Sequence, residues 1–158
     1  MQPQIDLTAI HSPADIRRMD MNQLKALAAS LRRPLLDKLS AHGGHVGPNL
    51  GMVEAIIALH YVFDTPDDKI VFDVSHQTYP HKMLTGRMEA FTDPAHYDDV
   101  TGYTNPSESP YDLFSLGHTS SAVALASGLA KARDLAGGTE NVVAVIGDGS
   151  LSGGVAFE

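Results

Sequence analysis

The sequence predicts an α/β domain, a mostly parallel sheet with helices on both faces, and three observations predict it. Residues 142–146 are five apolar residues, mostly β-branched, that end abruptly in Gly147-Asp148-Gly149, the pattern of a strand covered on both sides. A second short apolar run, 69–74, stops in the same way at the polar cluster Ser75-His76-Gln77-Thr78. Around both runs stand segments whose apolar residues recur at three- and four-residue spacing. Helices that alternate with strands imply parallel pairing through crossovers.

Taken in order, Ser12-Pro13-Ala14-Asp15 reads as a helix start, with Ser12 as N-cap, Pro13 at the first helical position and Asp15 at the positive end. Across 21–41, Leu24, Leu27, Ala28, Leu31, Leu35 and Leu39 form one apolar stripe of a core-facing helix, which Pro34 is expected to break or kink near Arg33. Residues 42–51 hold four glycines and a proline and read as a loop. Residues 52–63 are apolar on nearly every side and read as a buried helix. A turn at Thr65-Pro66-Asp67-Asp68 leads to the strand at 69–74. Residues 90–110 are polar and rich in Pro, Asp and Thr, an exposed and mobile excursion. A short strand is expected at 112–116 and a helix of alanines and leucines at 122–135, closed by Gly137-Gly138. Residues 152–158 read as the first turns of another helix, so the chain is expected to be a fragment ending in mid-element.

Composition sets limits on function. With 158 residues, 43% hydrophobic and 19% charged, the chain has the make-up of one soluble globular domain. A net charge of -8 argues against a nucleic-acid partner, which calls for a basic face. The absence of cysteine excludes disulfides and thiolate chemistry and fits a reducing, cytoplasmic setting. Asp6, Asp15 and Asp20 rule out a signal peptide at the start, and no stretch is long enough to predict a membrane span. Eight histidines are present, but none pair at helical spacing with a Glu as in HExxH, so no zinc pattern emerges.

Four polar clusters interrupt the apolar pattern near strand ends or helix starts, around His45, His76, His118 and Asp148. Asp148 offers a hard oxygen suited to Mg²⁺, and its flanking glycines let backbone approach a diphosphate. His45, His76 and His118 each lie in a Gly- or Ser-rich turn with amides free to meet a ligand. His11, His42, His60, His81 and His96 read instead as side chains satisfied within the fold.

The segments GHVGPNLGMVE (44–54), DVSHQTYPHKMLTGR (73–87), SESPYDLFSLGHTSS (107–121) and VIGDGSLSGGVAFE (145–158) resemble the 1-deoxy-D-xylulose-5-phosphate synthases, a thiamine-diphosphate-dependent family related to transketolase. The resemblance runs from about Met21 to the end. It implies that residues 1–158 are an incomplete N-terminal diphosphate-binding domain, with pyrimidine-binding and C-terminal domains absent. It implies thiamine diphosphate and Mg²⁺ as cofactors, with Asp148 as metal ligand, Gly149 and Ser150 at the diphosphate, and Gly117, His118 and Thr119 lining the cofactor. His118 is taken to precede a helix whose N-terminal amides face an anion. His76 is implied as a cofactor-contacting and catalytic histidine and His45 as a second catalytic histidine near the substrate. The implied reaction is the decarboxylating condensation of pyruvate with D-glyceraldehyde 3-phosphate, by a homodimer, to give an isoprenoid precursor. The family's downstream Asn-Asn metal motif and activating glutamate lie outside this chain, so the fragment alone is expected to be inactive. Pro34, Pro48-Asn49 and residues 102–106 depart from the family pattern and leave substrate specificity open. Two alternatives stand beside this reading: a transketolase-like enzyme with another sugar substrate, and a non-catalytic binding module on the same scaffold. A generic nucleotide-binding domain is disfavoured by the lack of GxGxxG and of a phosphate-loop GK[ST].

Overall fold

A computed structural model describes residues 5–158. The chain divides into two compact units, one formed by the described residues up to Asp64 with Gln77–Gly102, the other by Thr65–His76 with Tyr103–Glu158.

The first unit is helical. Helix α1 (Pro13–Ile16) starts as expected, with the Asp15 carboxylate accepting from the backbone N–H of His11 and Ser12, both at 3.0 Å. Helix α2 (Met21–His42) is capped by Asp20, which accepts from Asn22 N and Gln23 N while Gln23 Oε1 accepts from Asp20 N. The expected break at Pro34 does not occur. Leu31 and Leu35 on either side are both 0% exposed, and this packing holds the helix through the one missing N–H. Helix α3 (Val46–Val62) begins six residues earlier than the sequence suggests, so the loop is confined to the residues before Val46. Pro48 fits because the first turn's amides have no helical acceptor to lose. Nor is α3 buried all round: Asn49, Val53, Ile56, Ile57 and His60 form its inner face, while Val46, Tyr61 and Val62 are exposed.

The expected bare excursion at 90–110 is also corrected. Helix α4 (Tyr79–Lys82) is followed by a turn through Gly86, by α5 (Glu89–Thr92) and by a 3₁₀ segment, Pro94–Asp99. Phe91 and Tyr97 are buried, and the buried amine of Lys38 on α2 donates to Ala90 O and Tyr97 O, both at 2.8 Å. An amine from a helix 52 and 59 residues away in sequence thus orders a segment whose composition reads as loop.

His60 and His81, expected to be satisfied core residues, are 0% and 1% exposed. Their rings stack with centroids 5.1 Å apart and Nε2 of His60 lies 2.9 Å from Nδ1 of His81. One ring must donate and the other accept. Burial holds the His60 pKa well below its ordinary value, helped by the neighbouring His81 and by Arg17 and Arg87. The native state therefore resists protonation that the unfolded chain takes up near pH 6.5. The stabilisation is full above that pH and is lost as pH falls from there toward the lowered native value. The His96 pKa is raised by its hydrogen bond to Asp99 and by Glu89 and works in the opposite sense, but the group is solvent-screened. Urea unfolding should show stability falling by up to about 1.4 kcal/mol per pH unit below about pH 6.5. A His60→Asn variant should show a flatter profile; an equal slope in that variant would remove His60 as the cause.

The second unit carries the sheet. Strand β1 (Lys69–Phe72) pairs in parallel with β2 (Val142–Val145), Lys69 opposite Val142 and Phe72 opposite Val145. Helix α6 (Ala122–Ala136) makes the crossover and ends at Gly137, whose φ of 72° closes the last turn. Val71, Ala122 and Ala126 are the buried centre, with Leu116, Leu125, Leu129, Val142 and Ala144 packed on them. The architecture is α/β with a small parallel sheet, as expected. Three details differ. Both strands are shorter than predicted, and β2 is half-buried along its length rather than covered on both faces, because it has β1 as its one partner among the described residues. Residues 112–116 form no strand; Asp112 instead accepts Asn105 N at 2.8 Å and folds the segment into turns. The helix expected over 152–158 lies earlier, as α7 (Asp148–Leu151), and residues 152–158 hold only the 3₁₀ segment Gly154–Ala156.

No helix among the described residues is long and apolar enough to cross a membrane.

Candidate diphosphate and metal site

Parallel pairing in this register sends β1 and β2 out of the sheet at the same edge. The loop that holds His76 follows β1, and the turn that holds Asp148 follows β2. The carboxyl ends of parallel strands are where α/β sheets bind ligands. The segment with Gly117, His118 and Thr119 leads into α6, which packs on the same strands. Thus His76, Gly117, His118, Thr119, Asp148, Gly149 and Ser150 all belong to the second unit, whereas His45 belongs to the first.

Asp148 opens α7, with its carboxylate exposed and without a hydrogen bond or ion pair among the described residues. A free carboxylate at a turn flanked by glycines is a fitting hard ligand for a divalent cation. An added Cβ at Gly117, Gly147 or Gly149 would meet nothing within 4 Å, so open space lies beside the backbone at each. The residues present therefore fit a metal-bound diphosphate. His118 is exposed and its Nδ1 lies 2.8 Å from Thr119 O. A carbonyl can only accept, so Nδ1 carries a hydrogen and donates it to Thr119 O.

The backbone N–H groups of Ser120 and of Ala122, the first residue of α6, face a carboxylate of the protein itself. Asp73, 1% exposed, accepts from Ser120 N through Oδ2 at 3.0 Å and from Ala122 N through Oδ1 at 2.9 Å. Residues 117–119, rather than these two amides, are the part of this loop left to meet a ligand.

The backbone between Asp73 and His76 is strained. Val74 and Ser75 have φ of 58° and 65°, and Ser75 N donates to Asp73 O at 2.5 Å, a γ-turn of the uncommon hand. Each such residue costs about 1–3 kcal/mol, and the conformation persists where surrounding contacts over-determine it. Those contacts are present. Ser75 Oγ donates to Leu116 O at 3.1 Å and accepts from Thr104 N at 2.9 Å, and Thr104 Oγ1 donates to Phe114 O at 2.8 Å. Ser120, also at positive φ (67°), donates its hydroxyl to Ser150 O. The contact needs a glycine opposite: a Cβ on Gly153 would lie 1.8 Å from Ser120 Oγ. Sequence reading missed Asp73, Ser75 and Ser120. A carboxylate directly after an apolar strand run was the one available signal for Asp73.

In the first unit His45 is the N-cap residue of α3, half-buried, with its ring 6.4 Å from that of Tyr79 at 66°. Asn49 fixes this corner: its Nδ2 donates to His45 O at 2.7 Å and its Oδ1 accepts from Tyr79 N at 2.8 Å. Gly44, φ 127°, is required here, since a Cβ would sit 2.7 Å from the Tyr79 hydroxyl. His45, Gly44 and Tyr79, together with His42, Thr101 and Gly102, line a cleft of about 260 Å³. His45 therefore has a cavity before it, built within its own unit.

The profile of the family described as 1-deoxy-D-xylulose-5-phosphate synthase matches residues 7–158. Curated relatives named 1-deoxy-D-xylulose-5-phosphate synthase include one from Chlorobaculum tepidum, 49% identical over 96% of this chain and 24% of its own length. Others come from Polaromonas naphthalenivorans, 51% identical over 96% of this chain and 24% of its own length, and Geobacillus thermodenitrificans, 49% identical over 98% and 24%. The chain spans about a quarter of the length of the relatives it matches. With a profile match over nearly the whole chain and half its residues identical to those relatives, the chain belongs to the 1-deoxy-D-xylulose-5-phosphate synthase family.

Proposed function

We propose that this chain supplies the diphosphate and metal side of a thiamine-diphosphate-dependent synthase that condenses pyruvate, with loss of CO₂, and D-glyceraldehyde 3-phosphate into 1-deoxy-D-xylulose 5-phosphate. The observation that carries the reading is the exit of β1 and β2 at one sheet edge, followed by the His76 loop and by the unpartnered carboxylate of Asp148. The family to which the chain belongs supports the rest.

Thiamine diphosphate, when bound, supplies the electron sink for decarboxylation. The chain's own residues bind and orient. Asp148 gives Mg²⁺ a hard oxygen; the open backbone at Gly149 and the start of α7 at Ser150 approach the diphosphate. Residues 117–119, all exposed, line the cofactor, and His118 Nδ1 is held by Thr119 O within that segment. In the second unit His76, half-buried at the sheet edge, is the histidine that holds or moves a proton beside the cofactor, and in the first unit His45 faces its own cleft beside Tyr79 as the second such histidine. The working enzyme is a cytoplasmic homodimer, and the chain alone does not turn over.

A His76→Ala substitution in the full-length protein tests the assignment. Turnover should fall by about 10²- to 10⁴-fold, the range for loss of a general acid or base, while the melting temperature changes little. Unchanged turnover in a folded variant would strip His76 of its role, and no product from pyruvate and D-glyceraldehyde 3-phosphate in the parent would overturn the function.

A further inference from the structure

We propose that Asp73 and Ser75 are positioning residues: the strained turn after β1 clamps the segment 117–119 at both ends and holds it in a cofactor-ready conformation. The inference rests on the functional reading above. On the N-terminal side, Ser75 Oγ donates to the carbonyl of Leu116. On the C-terminal side, the Asp73 carboxylate takes the N–H of Ser120 and of Ala122. The three residues between, Gly117, His118 and Thr119, are exposed and bracketed by these fixed points.

The clamp is itself anchored to the sheet. Asp73 N donates to Val145 O at 2.8 Å, so the residue that grips the loop also extends the ladder between the two strands. Positive φ at Val74 and Ser75 turns the chain sharply enough for the Asp73 carboxylate and the Ser75 hydroxyl to reach the two sides of one loop. Ser120 passes the restraint on, since its hydroxyl donates to Ser150 O within the turn opened by Asp148. One strained turn thereby connects the His76, His118 and Asp148 loops. Neither Asp73 nor Ser75 needs to touch the cofactor for this.

The test uses the full-length protein with Asp73→Asn and Ser75→Ala, and it has two arms. Amide hydrogen exchange in the absence of cofactor should show Ser120 and Ala122 exchanging about ten-fold faster in Asp73→Asn, the loss of one charge-assisted hydrogen bond. Titration with thiamine diphosphate and Mg²⁺ should show Kd raised about 10- to 100-fold in both variants, as for residues that orient ligands from behind. Leu129→Ala serves as the comparison: it removes packing on α6 and should lower the melting temperature with Kd unchanged. If Asp73→Asn does not fold, Ser75→Ala alone decides the affinity arm. Unchanged exchange at Ser120 and Ala122, or unchanged Kd in folded variants of a parent that binds, overturns the clamp. Absence of binding by the parent overturns the functional reading and the cofactor role together, while the exchange arm still reads the clamp itself.

Discussion

Lys38→Met should destabilise the first unit by about 2–4 kcal/mol, read as a lower urea midpoint with unchanged slope. The amine is 5% exposed and donates to two carbonyls, Ala90 O and Tyr97 O, while lying 4.4 Å from the centroid of Phe91 and 5.4 Å from that of Tyr97. Methionine fills a similar volume but leaves both carbonyls without this donor, at about 1–3 kcal/mol each, and forfeits the cation–π contact. Relief from burying a charge offsets part of this loss, which keeps the net below the simple sum. A midpoint shift worth less than about 0.5 kcal/mol, the ordinary range for surface substitutions, would show that Lys38 does not hold the 90–99 segment to α2.

Asp148→Ala should have the opposite character, with a large loss of function and almost none of stability. The carboxylate is exposed and makes no hydrogen bond or ion pair among the described residues, so its removal should alter stability by no more than about 0.5 kcal/mol. If it ligates the metal as proposed, it should matter at least as much as residues one shell further out, and metal-dependent cofactor affinity should fall by about 100-fold or more. The pairing of the two results separates a site residue from a structural one. Glycine-flanked aspartates that merely shape a turn give neither.

The contrast between these two residues shows which parts of the chain were legible in its sequence. The strand and turn around Asp148 could be placed because their signal is local: an apolar strand, two glycines and one carboxylate lie together in the sequence. The stripe of α2 was legible for the same reason, as were the starts of α1 and α6, whose capping residues and periodicity fall within one or two turns. Lys38 was not. Nothing beside it on α2 tells that its amine will reach carbonyls 52 and 59 residues away. The same distance problem hid Asp73, whose partners are 47 and 49 residues off. Pro34 was misread because local propensity was overridden by buried leucines on both sides, and Pro48 because the start of α3 was placed too late. The strand at 112–116 failed because Asp112 is buried and spends its carboxylate on a turn amide instead of facing solvent.

Residues 117–119 stand between these cases. The Gly- and Ser-rich loop could be placed from sequence, but the hydrogen bonds that hold its two ends come from Asp73 and Ser75 on another element.

The most direct test of the central claim is calorimetric titration of the full-length protein with thiamine diphosphate, with and without Mg²⁺, in the parent and in Asp148→Ala. Saturable binding that needs Mg²⁺ in the parent and is lost in the variant is the predicted result. Binding indifferent to Mg²⁺, or equally tight in Asp148→Ala, would contradict it.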